Sequence, residues 1–302
     1  MNKKPILVVG SIAIDNTIYT SSLPQAGTTT LANSYITNIG GKGANQACAA
    51  LFLNGNVSFI GAVGKDQNGQ NVKKRLSELG LNYYIKESEE PTGVAFIILE
   101  ETSGENRLLI VQGANLDIQK EDLDNCDDLF VDNGILLTQF ETSISCIEHV
   151  IKKAHEHNML LVVNPAPYKE IDEKYFKYID YLVPNEHELE QLTNIFNIEE
   201  ASKSLLNKGV KNVIVTLGEK GSFFINKEES FYVAPHKVKA IDTTAAGDSY
   251  LGALVTMLSE GKDIKEAMEF ASLASSITVT RKGAIQSLPK INELKQKQKS
   301  PS

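Results

Sequence analysis

Short apolar runs alternate with longer amphipathic stretches along most of the chain. ILVVG at 6–10 is four apolar residues closed by a glycine, the pattern of a short buried strand. Beyond it the positions alternate, with Ile12, Ile14 and Ile18 on one face and Ala13, Asp15, Thr17 and Tyr19 on the other. After a turn marked by Pro24 and Gly27, NSYITNIGG reads as a returning strand. TGVAFIILE at 92–100 and NRLLIVQ at 106–112 are two further strands, joined by ETSGE as a hairpin loop. Residues 94–99 are apolar on both faces, which predicts contact with a second surface. Together these four runs predict a small sheet projecting from the main body.

Elsewhere the period changes between strand and helix. Ala44, Ala47, Cys48, Leu51 and Phe52 share one helix face, and VSFIGAVG follows as a strand. GILLTQF (134–140), a helix near 143–157 and LLVVNPAP (160–167) repeat the unit. YLVPNE (181–186), a helix near 199–208 and NVIVTLG (212–218) continue it. Leu251, Leu254, Val255 and Leu258 define another helix, followed by one over 264–280. Such alternation predicts a mainly parallel sheet covered on both faces. The tail from Asn292 is polar and is predicted to fray.

Composition narrows the function classes. At 302 residues, 42% hydrophobic and 23% charged, the chain suits one large globular unit or a core with an appendage. A net charge of -8 argues against a nucleic-acid surface, so an anionic ligand needs local backbone donors or a metal. Cys48, Cys126 and Cys146 are odd in number and lack metal-like spacing, and read as reduced structural cysteines. Lys3 and Lys4 precede an apolar run that is too short for a signal peptide, and no segment reaches membrane-spanning length. The expectation is a cytoplasmic protein with neither membrane nor nucleic-acid partners. His155 and His157 lie two apart on a predicted helix and read as a solvated face rather than a zinc site.

Polar and glycine-rich residues follow one predicted strand after another, where open α/β sheets bind ligands. They include Asp15, GGKGAN (40–45), Glu141, NPAP, PNEHE, TLGEKG and TTAAGD. GGKGANQA offers Gly40, Gly41, Lys42 and Asn45 near a helix start, although a glycine turn with a solvated lysine accounts for it equally well. Neither the P-loop nor the dinucleotide fingerprint fits, because no Gly-x4-Gly-Lys-Ser/Thr occurs and the sixth position is Gln46, not glycine. TTAAGD is more informative. Ala245, Ala246 and Gly247 clear space for backbone N–H groups at a helix N-terminus, a site for a transferring phosphoryl group. Asp248 beside them is placed to take a hydroxyl proton, with a plain helix cap as the alternative.

GGKGANQA, NPAP, PNE followed by Glu188, TLGEKG, DTTAAGD and TRKGAIQS occur in an order and spacing that resembles the ribokinase-like sugar kinase family, from about Ile6 to Pro289. That resemblance implies a doubly wound α/β core with a small β-sheet lid. It divides the chain into a core (1–10, 40–90 and 113–290), a lid (11–39 and 91–112) and a tail (291–302). The lid would cover the sugar and join two copies as a homodimer. The implied reaction is ATP-dependent phosphorylation of D-ribose at its 5-hydroxyl, with Asp248 as base and the 245–248 backbone as anion hole. A kinase acting on 2-deoxyribose, fructose or a nucleoside is the near alternative, and a non-catalytic sugar-binding protein the remote one. Asp15, Gly41, Lys42, Asn45 and Glu141 are implied sugar contacts. Ala13 departs from the asparagine common at its position, which removes a hydrogen bond and loosens preference for ribose over 2-deoxyribose. Asn185 and Glu188 would organise Mg²⁺ through water, and Asn185, Thr216, Gly218, Gly221, Gly247 and Ser272 would approach ATP. Asp242, Thr244, Thr278, Arg281, Gly283 and Ser287 match a monovalent-cation site for K⁺, Arg281 through its carbonyl.

Overall fold

A computed structural model describes residues 3–103 and 105–299. In chain order the first strands are β1 (Ile6–Val9), β2 (Ala13–Thr20), β3 (Ser34–Gly40), β4 (Val57–Gly64) and β5 (Asn82–Ser88). They are followed by β6 (Val94–Glu100), β7 (Asn106–Val111), β8 (Ile135–Gln139) and β9 (Leu160–Asn164). The last are β10 (Tyr181–Leu182), β11 (Asn212–Thr216), β12 (Ser222–Ile225) and β13 (Ser230–Val233). Helices α1 (Lys42–Phe52), α2 (Gln67–Glu78), α3 (Lys120–Asp124), α4 (Ile144–Glu156) and α5 (Glu186–Thr193) intervene. Towards the C-terminus come α6 (Ile198–Asn207), α7 (Ala246–Ser259), α8 (Ile264–Thr278) and α9 (Ile291–Lys299).

Nine strands form one sheet in the order β13-β12-β11-β10-β9-β8-β1-β4-β5. The pairs from β11 through β5 are parallel, while β12 and β13 close one edge antiparallel. Both faces are covered. Buried residues of α1, α7 and α8 pack on one side, including Ala44, Leu254 and Ala271, and α4 and α6 cover the other through Ile147, Val150 and Leu205. Gly252 lets α7 lie directly on α1: a Cβ there would fall 2.4 Å from that of Ala49. The order of connections reverses at β1, which sits between β4 and β8. In open α/β sheets, ligand-binding crevices open at such reversals.

The projecting strands do form a second sheet, in the order β3-β2-β6-β7. Its alternation gives it two distinct faces. Asp15, Thr17, Ile97 and Ile110 line cavities against the main body. On the opposite face Tyr35, Phe96 and Leu109 stay exposed, Leu109 at 67%. Residue 104 of the expected hairpin loop lies outside the described residues; Glu100 N–H donates to the Glu105 carbonyl across that loop at 2.9 Å.

The tail corrects the sequence-based expectation of fraying. Residues 291–299 form α9, whose Leu294 is completely buried, and Arg281 pairs with Glu293. A single turn of apolar spacing, Ile291 and Leu294, is enough to dock an otherwise polar helix. Cys48, Cys126 and Cys146 are buried free thiols. Among the described residues no helix is long and apolar enough to cross a membrane.

Candidate active site

The reversal at β1 brings together residues far apart in sequence. Ser11, just after β1, donates its hydroxyl to Glu141 Oε2 just after β8, and the Lys42 N–H at the start of α1 donates to the same oxygen at 3.1 Å. Gln112 Nε2 donates to the Glu141 carbonyl at 2.8 Å. Asn115 clamps the segment entering β2: Ile12 N–H donates to its Oδ1 at 2.8 Å, and its Nδ2 donates to the Ile12 carbonyl at 2.7 Å. Gly40 leaves room for the next group, because a Cβ there would lie 2.0 Å from Asp15 Oδ2.

These elements enclose a cavity of about 290 Å³ lined by Ala13, Asp15, Gly41, Lys42, Asn45, Glu141 and Asp248. Every residue assigned to the sugar from sequence therefore shares one wall system. Ala95, Ile97, Leu108 and Ile110 of the small sheet complete it with apolar surface. Burial pushes the Asp15 carboxyl up to about 7, helped by the negative charges of Glu141 and Asp248. Burial alone would lower the Lys42 ammonium, but Asp248, Glu141 and Glu188 around it raise it instead. Lys42 therefore stays charged within a cluster of carboxylates.

Asp248 lies at the floor, 7% exposed, on the third residue of α7. It is not the helix cap. That position belongs to Ala245, which takes left-handed backbone angles (φ 59°) and offers no side-chain cap, unlike Ser143, Asn185 and Asp263 on α4, α5 and α8. The N–H groups of Ala245, Gly247 and Asp248 donate to no protein acceptor among the described residues, whereas Ala246 N–H turns back to the Thr243 carbonyl at 3.2 Å. A Cβ on Gly247 would meet nothing within 4 Å. Free donors and empty space at a helix N-terminus make an anion site.

That space belongs to a second cavity of about 990 Å³. Asn185, Thr216, Gly218, Gly221, Gly247 and Ser272, all assigned to the nucleotide from sequence, line it. Pro235, His236, Val238, Tyr250 and Val279 also line it and were not singled out in the sequence, having no motif of their own. The two cavities share Thr243 and adjoin along residues 243–248. Asn185 and Glu188 form a reciprocal capping box at α5: Glu188 N–H donates to Asn185 Oδ1 at 2.8 Å, and Asn185 N–H to Glu188 Oε2 at 2.9 Å. This leaves Glu188 Oε1 uncommitted. Burial raises the Glu188 carboxyl, partly opposed by the Asn185 N–H and Lys42.

Asp242 staples two loops, accepting from Thr244 N–H and Gly283 N–H at 2.9 Å each. The carbonyls of Asp242, Thr244, Arg281 and Gly283 accept no hydrogen bond among the described residues. Thr278 and Ser287 are more committed: Thr278 Oγ1 donates to Ser249 Oγ at 2.8 Å, and Ser287 Oγ to the Ala284 carbonyl at 2.7 Å. Ser11, Gln112 and Asn115 were not named in the sequence reading. Ser11 obeys the same rule as the others, a polar residue at the carboxyl end of a strand, and was legible on that ground.

Residues 3–291 match the pfkB family of carbohydrate kinases. A ribokinase of Schizosaccharomyces pombe is 38% identical, with 96% of each chain covered. A deoxyribokinase of Salmonella typhi is 35% identical over 95% of this chain and 96% of its own. The solved structure of Arabidopsis thaliana ribokinase complexed with ribose and ATP superimposes with a TM-score of 0.88, at 31% identity and 98% coverage of both chains. The chain belongs to the pfkB family of carbohydrate kinases.

Proposed function

From that membership, we propose that the protein transfers the γ-phosphoryl group of ATP to the 5-hydroxyl of D-ribose, giving ribose 5-phosphate and ADP. The observation carrying this reading is a buried carboxylate, Asp248, next to unpaired N–H groups at the join of two cavities. The ribokinases among its relatives, and the neighbour bound to ribose and ATP, supply the substrates.

In this reading Asp15, Lys42, Asn45 and Glu141 hold the ring hydroxyls, with Gly41 giving the close approach. Asp248 takes the proton of the 5-hydroxyl. The freed oxygen forms its bond to the γ-phosphorus while the bond to the β,γ-bridging oxygen breaks, and that electron pair leaves with ADP. The Ala245, Gly247 and Asp248 N–H groups meet the charge gathering on the equatorial oxygens. Bound Mg²⁺ would neutralise phosphate charge, and Asn185 and Glu188 would hold it through water, with Glu188 Oε1 free for this. The open carbonyls of Asp242, Thr244, Arg281 and Gly283, with Thr278 and Ser287 beneath, suit K⁺. The small sheet would act as a lid, and its exposed Tyr35, Phe96 and Leu109 would meet the same face of a second copy.

Asp248→Asn tests the chemistry: turnover falls by roughly 10²–10⁴, the range for a general base, while ATP still binds. Turnover near the wild-type value contradicts the assignment. One observation favours a second acceptor. Ala13 lines the sugar cavity without a polar side chain, and a deoxyribokinase is among the relatives. Steady-state kinetics on ribose and 2-deoxyribose, with and without Ala13→Asn, separate the two.

A further inference from the structure

We propose that Gln46 is a positioning residue for Asp248, and that a buried chain of side-chain amides fixes its direction from the backbone after β10. The proposal rests on Asp248 being the base. Its chain uses the second half of GGKGANQA and the asparagine of NPAP, neither of which touches the nucleotide in the reading above.

The direction of the chain follows by elimination. The Val183 carbonyl can only accept, and Asn164 Nδ2 donates to it at 2.9 Å. Asn164 Oδ1 must then face Gln46, and Gln46 Nε2 donates to it at 3.3 Å. The other hydrogen of that nitrogen reaches Asp248 Oδ1 at 2.9 Å. Gln46 Oε1, left as an acceptor, receives Gln139 Nε2 at 2.7 Å. Every polar atom of the Gln46 side chain is thereby used, and a flipped amide would oppose like atoms at each contact. Asp248 Oδ2 is held from the other side by Asn45 Nδ2 at 2.9 Å.

Packing alone does not call for this arrangement. Gln46 and Gln139 are completely buried, and Gln139 Oε1 and Asn45 Oδ1 find no partner among the described residues. An apolar core at the same place would avoid those unmet groups. Gly10 also keeps the space open, since a Cβ there would lie 1.9 Å from Gln139 Oε1. The charged groups around Asp248 are Asp15 on β2, Lys42 on α1, Glu141 after β8 and Glu188 on α5. Against that background, neutral donors on both oxygens fix the plane of the carboxylate and keep its remaining lone pairs on the sugar cavity.

Gln46→Met keeps the length and removes the donor, while Gln46→Glu keeps the shape and sets a carboxylate against Asp248. Both are expected to lower kcat by roughly 10–100-fold, the range for losing a group that orients a reactive ligand, with the KM for ATP unchanged. Gln46→Glu is further expected to move the acidic limb of the kcat profile up by about one pH unit or more, as paired carboxylates do. Gln46→Met, which removes one donor from the carboxylate without adding a charge, is expected to move that limb in the same direction but less far. Folded variants with wild-type kcat and pH profile overturn the proposal. Should neither variant fold, Gln139→Met unlocks the amide while leaving the Gln46–Asp248 contact, and an unchanged kcat there overturns it equally. Asp248→Asn is measured alongside: if it stays active, the base assignment fails, whereas an inactive Asp248→Asn with unaffected Gln46 variants isolates the failure to Gln46.

Discussion

The cavity under the small sheet and the cavity beyond the start of α7 are neighbours, yet they are built from different chemistry. The first is lined by long charged and amide side chains, Asp15, Lys42, Asn45, Glu141 and Asp248. The second joins glycines and small hydroxyl residues, with Gly218, Gly221 and Gly247 prominent, to apolar and imidazole side chains such as Pro235, His236, Val238 and Val279. A sugar differs from its relatives in the placement of hydroxyls, so discrimination needs directional partners at fixed points. A triphosphate offers dense charge of simple symmetry, which backbone N–H groups at a helix end can meet. Asp248 lines the first cavity and follows directly on Ala246 and Gly247, which line the second.

Substitutions on the two sides should therefore fail in different ways. Gly247→Ala fills space that the protein itself leaves empty. Placed inside α7, the added methyl is expected to stabilise the fold by about 0.5–1 kcal/mol, while kcat falls roughly 10²–10³-fold, as on loss of an anion-stabilising donor. Activity assays beside thermal melts check both signs, and parallel losses of stability and rate would break the contrast. Asp15→Asn belongs to the other side. It is expected to raise the sugar KM roughly 10–100-fold, the worth of one charge-assisted hydrogen bond, with the KM for ATP unchanged. An equal rise in both would merge the two regions into one.

Leu109→Lys probes the outer face of the same sheet. The proposed pairing through this face predicts that light scattering shows the mass fall from two copies to one, and an unchanged mass contradicts the pairing. The smallest effect concerns pH. Burial, with the negative charges of Glu141 and Asp248 behind it, pushes the Asp15 carboxyl up to about 7 from its ordinary 3.8, so the native state holds its proton more tightly. Its contribution to stability is present in full below about pH 4 and is lost as pH rises through 7. Between pH 5 and 8 the melting temperature should fall more for the wild type than for Asp15→Asn. Identical slopes would show that burial does not raise the Asp15 carboxyl.

The same contrast explains what could be read from the sequence. Strands such as ILVVG and GILLTQF stood out because central strands are apolar on both faces. The edge strand β5 alternates weakly and α2 carries few apolar positions, only Val72 and Leu76 lying fully buried besides Gly69, while β12 and β13 are apolar but four residues each, too short for a period to announce them. Asp15, Lys42 and Glu141 were visible as charged residues at strand ends. In the nucleotide cavity glycine marked Gly218, Gly221 and Gly247, the family resemblance supplied Asn185, Thr216 and Ser272, and Pro235, Val238 and Tyr250 carried no mark. The left-handed cap at Ala245 was hidden as well, because alanine gives no sign of that conformation. Polar relays such as Gln46–Asn164 depend on residues 118 positions apart and emerge once the sheet order is known.

Sugar-dependent release of ADP by the wild-type protein tests the central claim most directly. With saturating ATP, Mg²⁺ and K⁺, ADP should form on addition of D-ribose and stay near background without it, because the proton that Asp248 removes comes from the sugar. ADP formed at the same rate with and without sugar, or none with any pentose offered, would contradict the account.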